Sequence, residues 1–162
     1  GLKLKELQVP SYVSINDEPT FSCLFDLNGG RLQSVKWYKD EHEFCRYTPA
    51  NHPTSLTFPL PGIALKRPGC DMHSVWFSDV SWATGGSYKC EVSLEGPTFF
   101  TVSSSRNITV LTYPLKDPVI TGVQPRYKEG EHVYANCSSL PSYPPPVITW
   151  FINDVEVRSP LH

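Results

Sequence analysis

The side chains with the most chemical capacity in this chain are its five cysteines, Cys23, Cys45, Cys70, Cys90 and Cys137, set within 162 residues. In so short a chain, cysteines serve as disulfides in an oxidising compartment or as thiolate ligands of a metal. His42-x-x-Cys45 and Cys70-x-x-His73 offer two nitrogens and two sulfurs at spacings zinc accepts. A Cys45–Cys70 disulfide closing the Pro-rich stretch between them is the simpler reading, and zinc is the alternative. His52, His132 and His162 have no nucleophile and orienting carboxylate beside them, and no Gly-rich phosphate loop is present. The expectation is therefore a non-enzyme with no cofactor, no metal and no small-molecule substrate. Asn107-Ile108-Thr109 and Asn136-Cys137-Ser138 are acceptor sequences for N-glycosylation at Asn107 and Asn136. Together with the cysteines they point to an extracellular protein, secreted or tethered to a cell surface.

Charge narrows the partners. The 14 basic and 16 acidic residues leave a net charge of −2, and neither sign forms long runs. A nucleic-acid clamp and a polybasic membrane patch are both excluded. No apolar stretch approaches the roughly 20 residues of a membrane helix, so membrane attachment is expected only through an anchor outside this sequence. With 16 prolines, 10 glycines and one methionine, short strands joined by stiff turns fit better than long helices, and the expected class is all-β.

The elements that must hold the cysteines follow from period-two alternation. Phe21, Cys23 and Phe25 share one face of a strand at 20–25, closed by the turn Asn28-Gly29-Gly30. Val35 and Trp37 share a face at 35–39, and a short run follows at 44–47. Val75, Phe77 and Val80 mark a further strand and its exit. Tyr88, Cys90 and Val92 alternate along the next, and a last long strand runs from 99 to 111. A disulfide between facing sheets needs a large ring beside it to fill the core, and Cys23, Trp37 and Cys90 have the spacing of an immunoglobulin domain. Tyr88, two residues before Cys90, takes the place of the tyrosine whose hydroxyl bonds back to the preceding loop, with Gly86 supplying the turn. Thr84 stands where variable-type domains often carry an Asp paired with a basic residue, so that ion pair is not expected.

Tyr113 and the prolines 114 and 118 favour a stiff joint. The expected organisation is a variable-like immunoglobulin domain at 1–112, a linker at 113–118, and the N-terminal part of a second immunoglobulin-like domain at 119–162. In the second unit, 133–137 and 147–152 read as strands, with Asn153-Asp154 turning into 155–157. Cys137 and Trp150 are 13 residues apart, against 14 for Cys23 and Trp37, which makes an internal repeat. Cys137 is then the odd thiol because its domain is truncated, and an incomplete sandwich should expose a sheet edge and a core face.

Three strings carry a family resemblance: VKWYK with EFCRYTP (35–39, 43–49), YKCEVSLEGPTFFT (88–101) and ITWFIND (148–154). They resemble the beaten path family of insect neuronal immunoglobulin-superfamily proteins. The resemblance implies a recognition protein that binds sidestep-family immunoglobulin receptors in axon guidance and synaptic matching. Cys45 departs from it, since an aromatic residue is more usual before the Arg-Tyr pair. The alternatives are the ectodomain of an immunoglobulin-type signalling receptor and a homophilic adhesion or matrix protein.

With Trp37 and Cys90 inward, alternation turns Lys36, Tyr38, Lys89 and Glu91 outward on one sheet. Phe44, Arg46 and Tyr47 are expected beside them. Of the adjacent pair Phe99 and Phe100, one should face inward and the other, Phe100, reach the contact surface. Aromatic rings and arginine suit an interface, so this front sheet is the expected contact surface for another immunoglobulin-type ectodomain. A glycan on Asn107 is expected near the linker, leaving the upper part of the sheet open, and one on Asn136 on the opposite sheet of the second unit.

Overall fold

Branched and aromatic residues at alternate positions fit a pleated, half-buried surface, and here they build an almost wholly β chain. The computed structural model describes residues 1–97, 99–113 and 116–157. Thr98 of the GPTFFT string, Pro114 and Leu115 of the expected linker, and His162 lie outside the described residues. The strands are β1 (Lys3–Gln8), β2 (Tyr12–Ser14), β3 (Thr20–Asp26), β4 (Leu32–Lys39), β5 (His42–Tyr47), β6 (Ser55–Thr57), β7 (Ala64–Cys70), β8 (Ser74–Asp79), β9 (Gly86–Leu94), β10 (Thr101–Leu111), β11 (Val119–Thr121), β12 (Asn136–Ser138), β13 (Trp150–Ile152) and β14 (Val155–Val157). A 3-10 turn, Trp82–Thr84, separates β8 from β9. The chain divides into two units, Gly1–Leu111 and Thr112–His162.

The first unit is a sandwich of two sheets. One has the order β1-β3-β8-β7, and the other, the front sheet, β2-β10-β9-β4-β5-β6. Every pairing is antiparallel except β2 with β10, which is parallel. Cys23 on β3 and Cys90 on β9 join the two sheets at their centre. Phe21, Trp37, Phe44, Phe77 and Tyr88 fill the space between the sheets, all fully buried, with the Phe21 ring edge-on to Tyr88 at 5.1 Å. Filling a core with interleaved rings of this size is the dominant favourable contribution to folding such a unit.

At the lower end of the sandwich, the Tyr88 hydroxyl donates to the Thr84 carbonyl at 2.5 Å. Burial pushes the Tyr88 phenol well above its ordinary range, so it stays a donor. Thr84 is fully buried. Its Oγ1 donates to the Gly62 carbonyl at 2.7 Å and accepts from the Ser81 amide at 2.9 Å. A neutral hydroxyl thus clamps the two loops with no ion pair. Gly62 sits at φ +82°, and a Cβ there would lie 2.2 Å from the Ala83 carbonyl oxygen; only glycine lets the loops approach this closely.

Cys45 on β5 and Cys70 at the end of β7 form a second disulfide, S–S 2.07 Å. The first bridge pins the middle of the sandwich and this one pins its β5–β6 edge. Both sulfurs are consumed in that bond, so the zinc alternative has no thiolates. His73 instead lies with Nδ1 3.1 Å from the Cys23 carbonyl and its ring 4.9 Å from Phe25.

In the second unit β11 pairs with β12 and β13 with β14, and Thr112 bridges to Tyr143. Asn153 and Asp154 have φ of 51° and 63°, the backbone a two-residue hairpin turn requires. Cys137 is a free thiol. Ile120, Val133, Trp150 and Val157 line an apolar hollow of about 500 Å³.

Candidate functional site

Directly paired residues of neighbouring strands share a face, so the register of the front sheet fixes what its outer surface presents. Lys36 stands opposite Glu91 on one side and Arg46 on the other, with Leu56 opposite Arg46 and Ser103 opposite Glu91. The rung Ser103, Glu91, Lys36, Arg46, Leu56 therefore crosses five strands. The next rung down is Ser105, Lys89, Tyr38, Glu43. Along β9 and β5 the sign switches from one rung to the next, Glu91 to Lys89 and Arg46 to Glu43, while Lys36 and Arg46 lie side by side as a basic pair.

The side chains of this face hold one another. The Arg46 guanidinium grips Glu43 with two prongs, Nε to Oε1 at 2.6 Å and Nη2 to Oε2 at 2.9 Å, and lies 5.6 Å from the centre of the Phe58 ring. The hydrogen bond to Glu43 pushes the Arg46 pKa further up. Lys89 bonds Glu41 at 2.7 Å and lies 4.7 Å from the Tyr38 ring centre. The Tyr38 hydroxyl points to Glu91 at 3.4 Å. Partial burial, with Glu91 and Glu43 close by, pushes Tyr38 up to about 12, so it remains a neutral donor near neutral pH. A surface whose charges and rings are already held in place loses little freedom on binding.

Lys36, Tyr38, Arg46, Lys89 and Glu91 thus share the outer face. Phe44 does not. It is wholly buried and packs against Phe77 and Tyr88, because β5 slips register between the pairs Trp37–Cys45 and Tyr38–Glu43. Phe44 is the extra residue of that bulge, which turns it inward beside Cys45. Tyr47 is not on the outer face either: it pairs with the buried Val35 and packs against the edge of the core. The expected split of Phe99 and Phe100 fails too. β10 begins at Thr101, so both precede the strand, and both are exposed, at 70% and 57%. Phe99 has φ +47°, and its ring covers Gly96. Phe100 lines a hollow of about 550 Å³ with Leu2, Leu27 and Leu94.

Alternation alone missed Glu43, Glu41, Leu56 and Phe58. The first two were hidden in a charged turn. Leu56 and Phe58 carry a readable signal, since apolar residues two apart inside the Pro-rich stretch mark one face of an edge strand. Among the described residues no helix is long and apolar enough to cross a membrane.

No protein-family model matches the chain, and no curated protein matches it. Solved structures do. A structure of murine CEACAM1b is similar over 99% of this chain and 77% of its own, with a TM-score of 0.61 and 18% identity. The structure of a mouse coronavirus receptor-binding domain with its murine receptor matches over 98% and 76%, TM-score 0.60, 16% identity. The amphioxus IgVJ-C2 molecule matches over 83% and 72%, TM-score 0.54, 15% identity. The fold is immunoglobulin-like. In that fold's terms, the parallel β2–β10 edge and the pair β5–β6 beyond β4 make the first sandwich variable-type.

Proposed function

We propose that this chain is an extracellular recognition protein of the beaten path type. It binds a sidestep-like immunoglobulin ectodomain through the outer face of its front sheet, in axon guidance and synaptic matching. The observation that carries this reading is the register-aligned face itself: Lys36, Arg46, Glu91 and Tyr38 on adjoining strands, with Lys89 at its lower edge. The strings 35–39, 43–49 and 148–154 support the family, and the similarity to murine CEACAM1b and to the coronavirus receptor complex supports a protein as the ligand. Charges set out in this order, acidic on β9 and basic on β4 and β5, select a partner with the reverse order, and they act on encounter rate and choice more than on raw affinity. Contacts of modest strength suffice where many copies meet between two cells.

Capture of a panel of sidestep-like ectodomains on a display surface tests the proposal. Lys36→Glu, Arg46→Glu and Tyr38→Ala should each weaken capture while both disulfides form as in the parent. Unchanged capture for all three removes the front sheet from the account. Equal capture of the chain by itself would favour a homophilic adhesive protein.

A further inference from the structure

Asn107 lies on β10 directly opposite Ser87, two residues below the pair Ser105–Lys89. Its neighbours Ile108 and Val110 are buried, so alternation turns Asn107 to the outer face of the front sheet, where it is exposed. It therefore roots on the same face as Lys36, Tyr38, Arg46 and Glu91. Two residues along a strand and one strand across place Lys89 about 8 Å from Asn107. Lys36 is two rungs higher than Ser87 and a further strand away, about 17 Å off.

We infer that Asn107 carries an N-linked glycan whose first sugars cover the β10–β9 corner at Ser87, Ser105 and Lys89. The glycan confines a protein partner to the β4–β5–β6 side of the face. This rests on the front-sheet reading and on passage through the secretory pathway, where Asn-x-Thr sequences are modified. Ser103, Ser105 and Thr101 line the strand that bears the sugar, whereas the Tyr38 ring, the Arg46–Glu43 pair and Leu56 lie on β4, β5 and the edge strand β6. The sugar takes the part of the face with the least to offer an interface, and the partner keeps the part rich in arginine, tyrosine and leucine. It also shields the lower edge from unspecific contact.

Protein secreted from a eukaryotic host is treated with a bulky lysine-reactive polyethylene glycol ester, and the modified lysines are read by peptide mapping. Peptide-N-glycosidase F should convert Asn107 to Asp, which marks occupancy. Lys89 should react several-fold more slowly in the glycosylated protein than in Asn107→Gln, while Lys36 reacts equally in both. Natively deglycosylated parent protein, with aspartate at position 107, repeats the comparison with a second sugar-free side chain. An unmodified Asn107, or equal Lys89 rates with and without the sugar, overturns the inference. In the capture assay with glycosylated protein, Lys36→Glu should weaken binding more than Lys89→Glu, and the reverse order overturns the confinement. The labelling needs no partner. If capture ignores the whole face while the sugar still shields Lys89, the front-sheet proposal fails and the glycan assignment stands.

Discussion

Glu43 and Arg46 are three residues apart on one strand yet meet in a two-pronged ion pair on the same face, Nε to Oε1 2.6 Å and Nη2 to Oε2 2.9 Å. A regular strand would set them on opposite faces. The bulge at Phe44 absorbs one residue, so 43 and 46 both point outward while 44 and 45 both point in.

This arrangement separates stability from recognition. Their side chains are 18% and 35% exposed, and a partly solvated pair of this kind contributes about 1 kcal/mol. Glu43→Gln should therefore shift the urea midpoint only slightly. Partner capture should fall further, because the guanidinium loses the fork that holds its plane. A loss of capture no larger than the loss of stability would show that the pair is merely structural.

Tyr38 supplies an alkaline test. Its folded pKa, pushed up to about 12 from 10.0, means the folded state keeps a proton that the unfolded state has released. Its contribution is thus fully present below pH 10 and is lost as pH rises from about 10 to about 12. Unfolding free energies across that window should fall less steeply for Tyr38→Phe than for the parent. Parallel slopes would place Tyr38 in an ordinary environment.

Asp40 supplies the acid counterpart. The Ser87 amide donates to its Oδ1 at 2.9 Å, and Lys39 Nζ lies 2.9 Å from Oδ2. The backbone bond first, then Lys39, holds the carboxyl below its usual range. A depressed pKa stabilises above the unfolded value near 4 and stops doing so as pH falls through the folded one. The stability difference between the parent and Asp40→Asn should be constant above about pH 5 and shrink below about pH 4. A difference independent of pH would remove Asp40 from the acid response.

Much of the frame was legible because it rests on long-range necessities that leave local marks. Cys23, Trp37 and Cys90 must share a core, Tyr88 must find a carbonyl, and each sits in a clean period-two run. Asn153-Asp154 names its own turn. What was not legible is whatever a single inserted residue changes. The bulge moves Phe44 from the contact surface to the core, and nothing in HEFCRY marks which residue is the extra one. The β10 start is similar: Phe99 and Phe100 look like strand residues by type, but a left-handed φ at Phe99 breaks the strand there, and Phe100 lends its carbonyl to the Leu94 amide at 2.8 Å without joining the alternation. Charged turns hide partners as well, since Glu41 reaches Lys89 across 48 positions of sequence.

The second disulfide should matter at the edge of the sheet. Cys45 and Cys70 enclose a separation of 25 residues, for which loop-closure entropy gives about 3 kcal/mol. The double change Cys45→Ala, Cys70→Ala should leave a secreted protein with a lower melting temperature and weakened capture, because β5 and β6 lose their tie to β7. Loss of Cys23 or Cys90 should instead cost about 2 to 5 kcal/mol and abolish secretion. Full capture by the double variant would show that β6 contributes nothing to the face.

Thr84 tests how a neutral clamp replaces an ion pair at the base of the sandwich. Thr84→Val keeps the volume but leaves the half-buried Gly62 carbonyl and the Ser81 amide without the hydroxyl that serves both. A polar group stranded away from water costs about 1 to 3 kcal/mol; with Gly62 half-buried and Ser81 exposed, a loss of about 1 to 2 kcal/mol is expected from urea unfolding. Thr84→Ser keeps the hydroxyl and should recover most of it, less the buried methyl at about 1 kcal/mol. Gly62→Ala meets the same loop from the other side, with φ +82° and the Ala83 carbonyl in the way of any Cβ. It should destabilise comparably without touching a hydrogen-bonding side chain. Because the clamp lies at the foot of β9 and the contact rung higher up the sheet, all three variants should retain partner capture at temperatures where they are folded. A selective loss of capture in Thr84→Ser would mean that the loop itself reaches the partner.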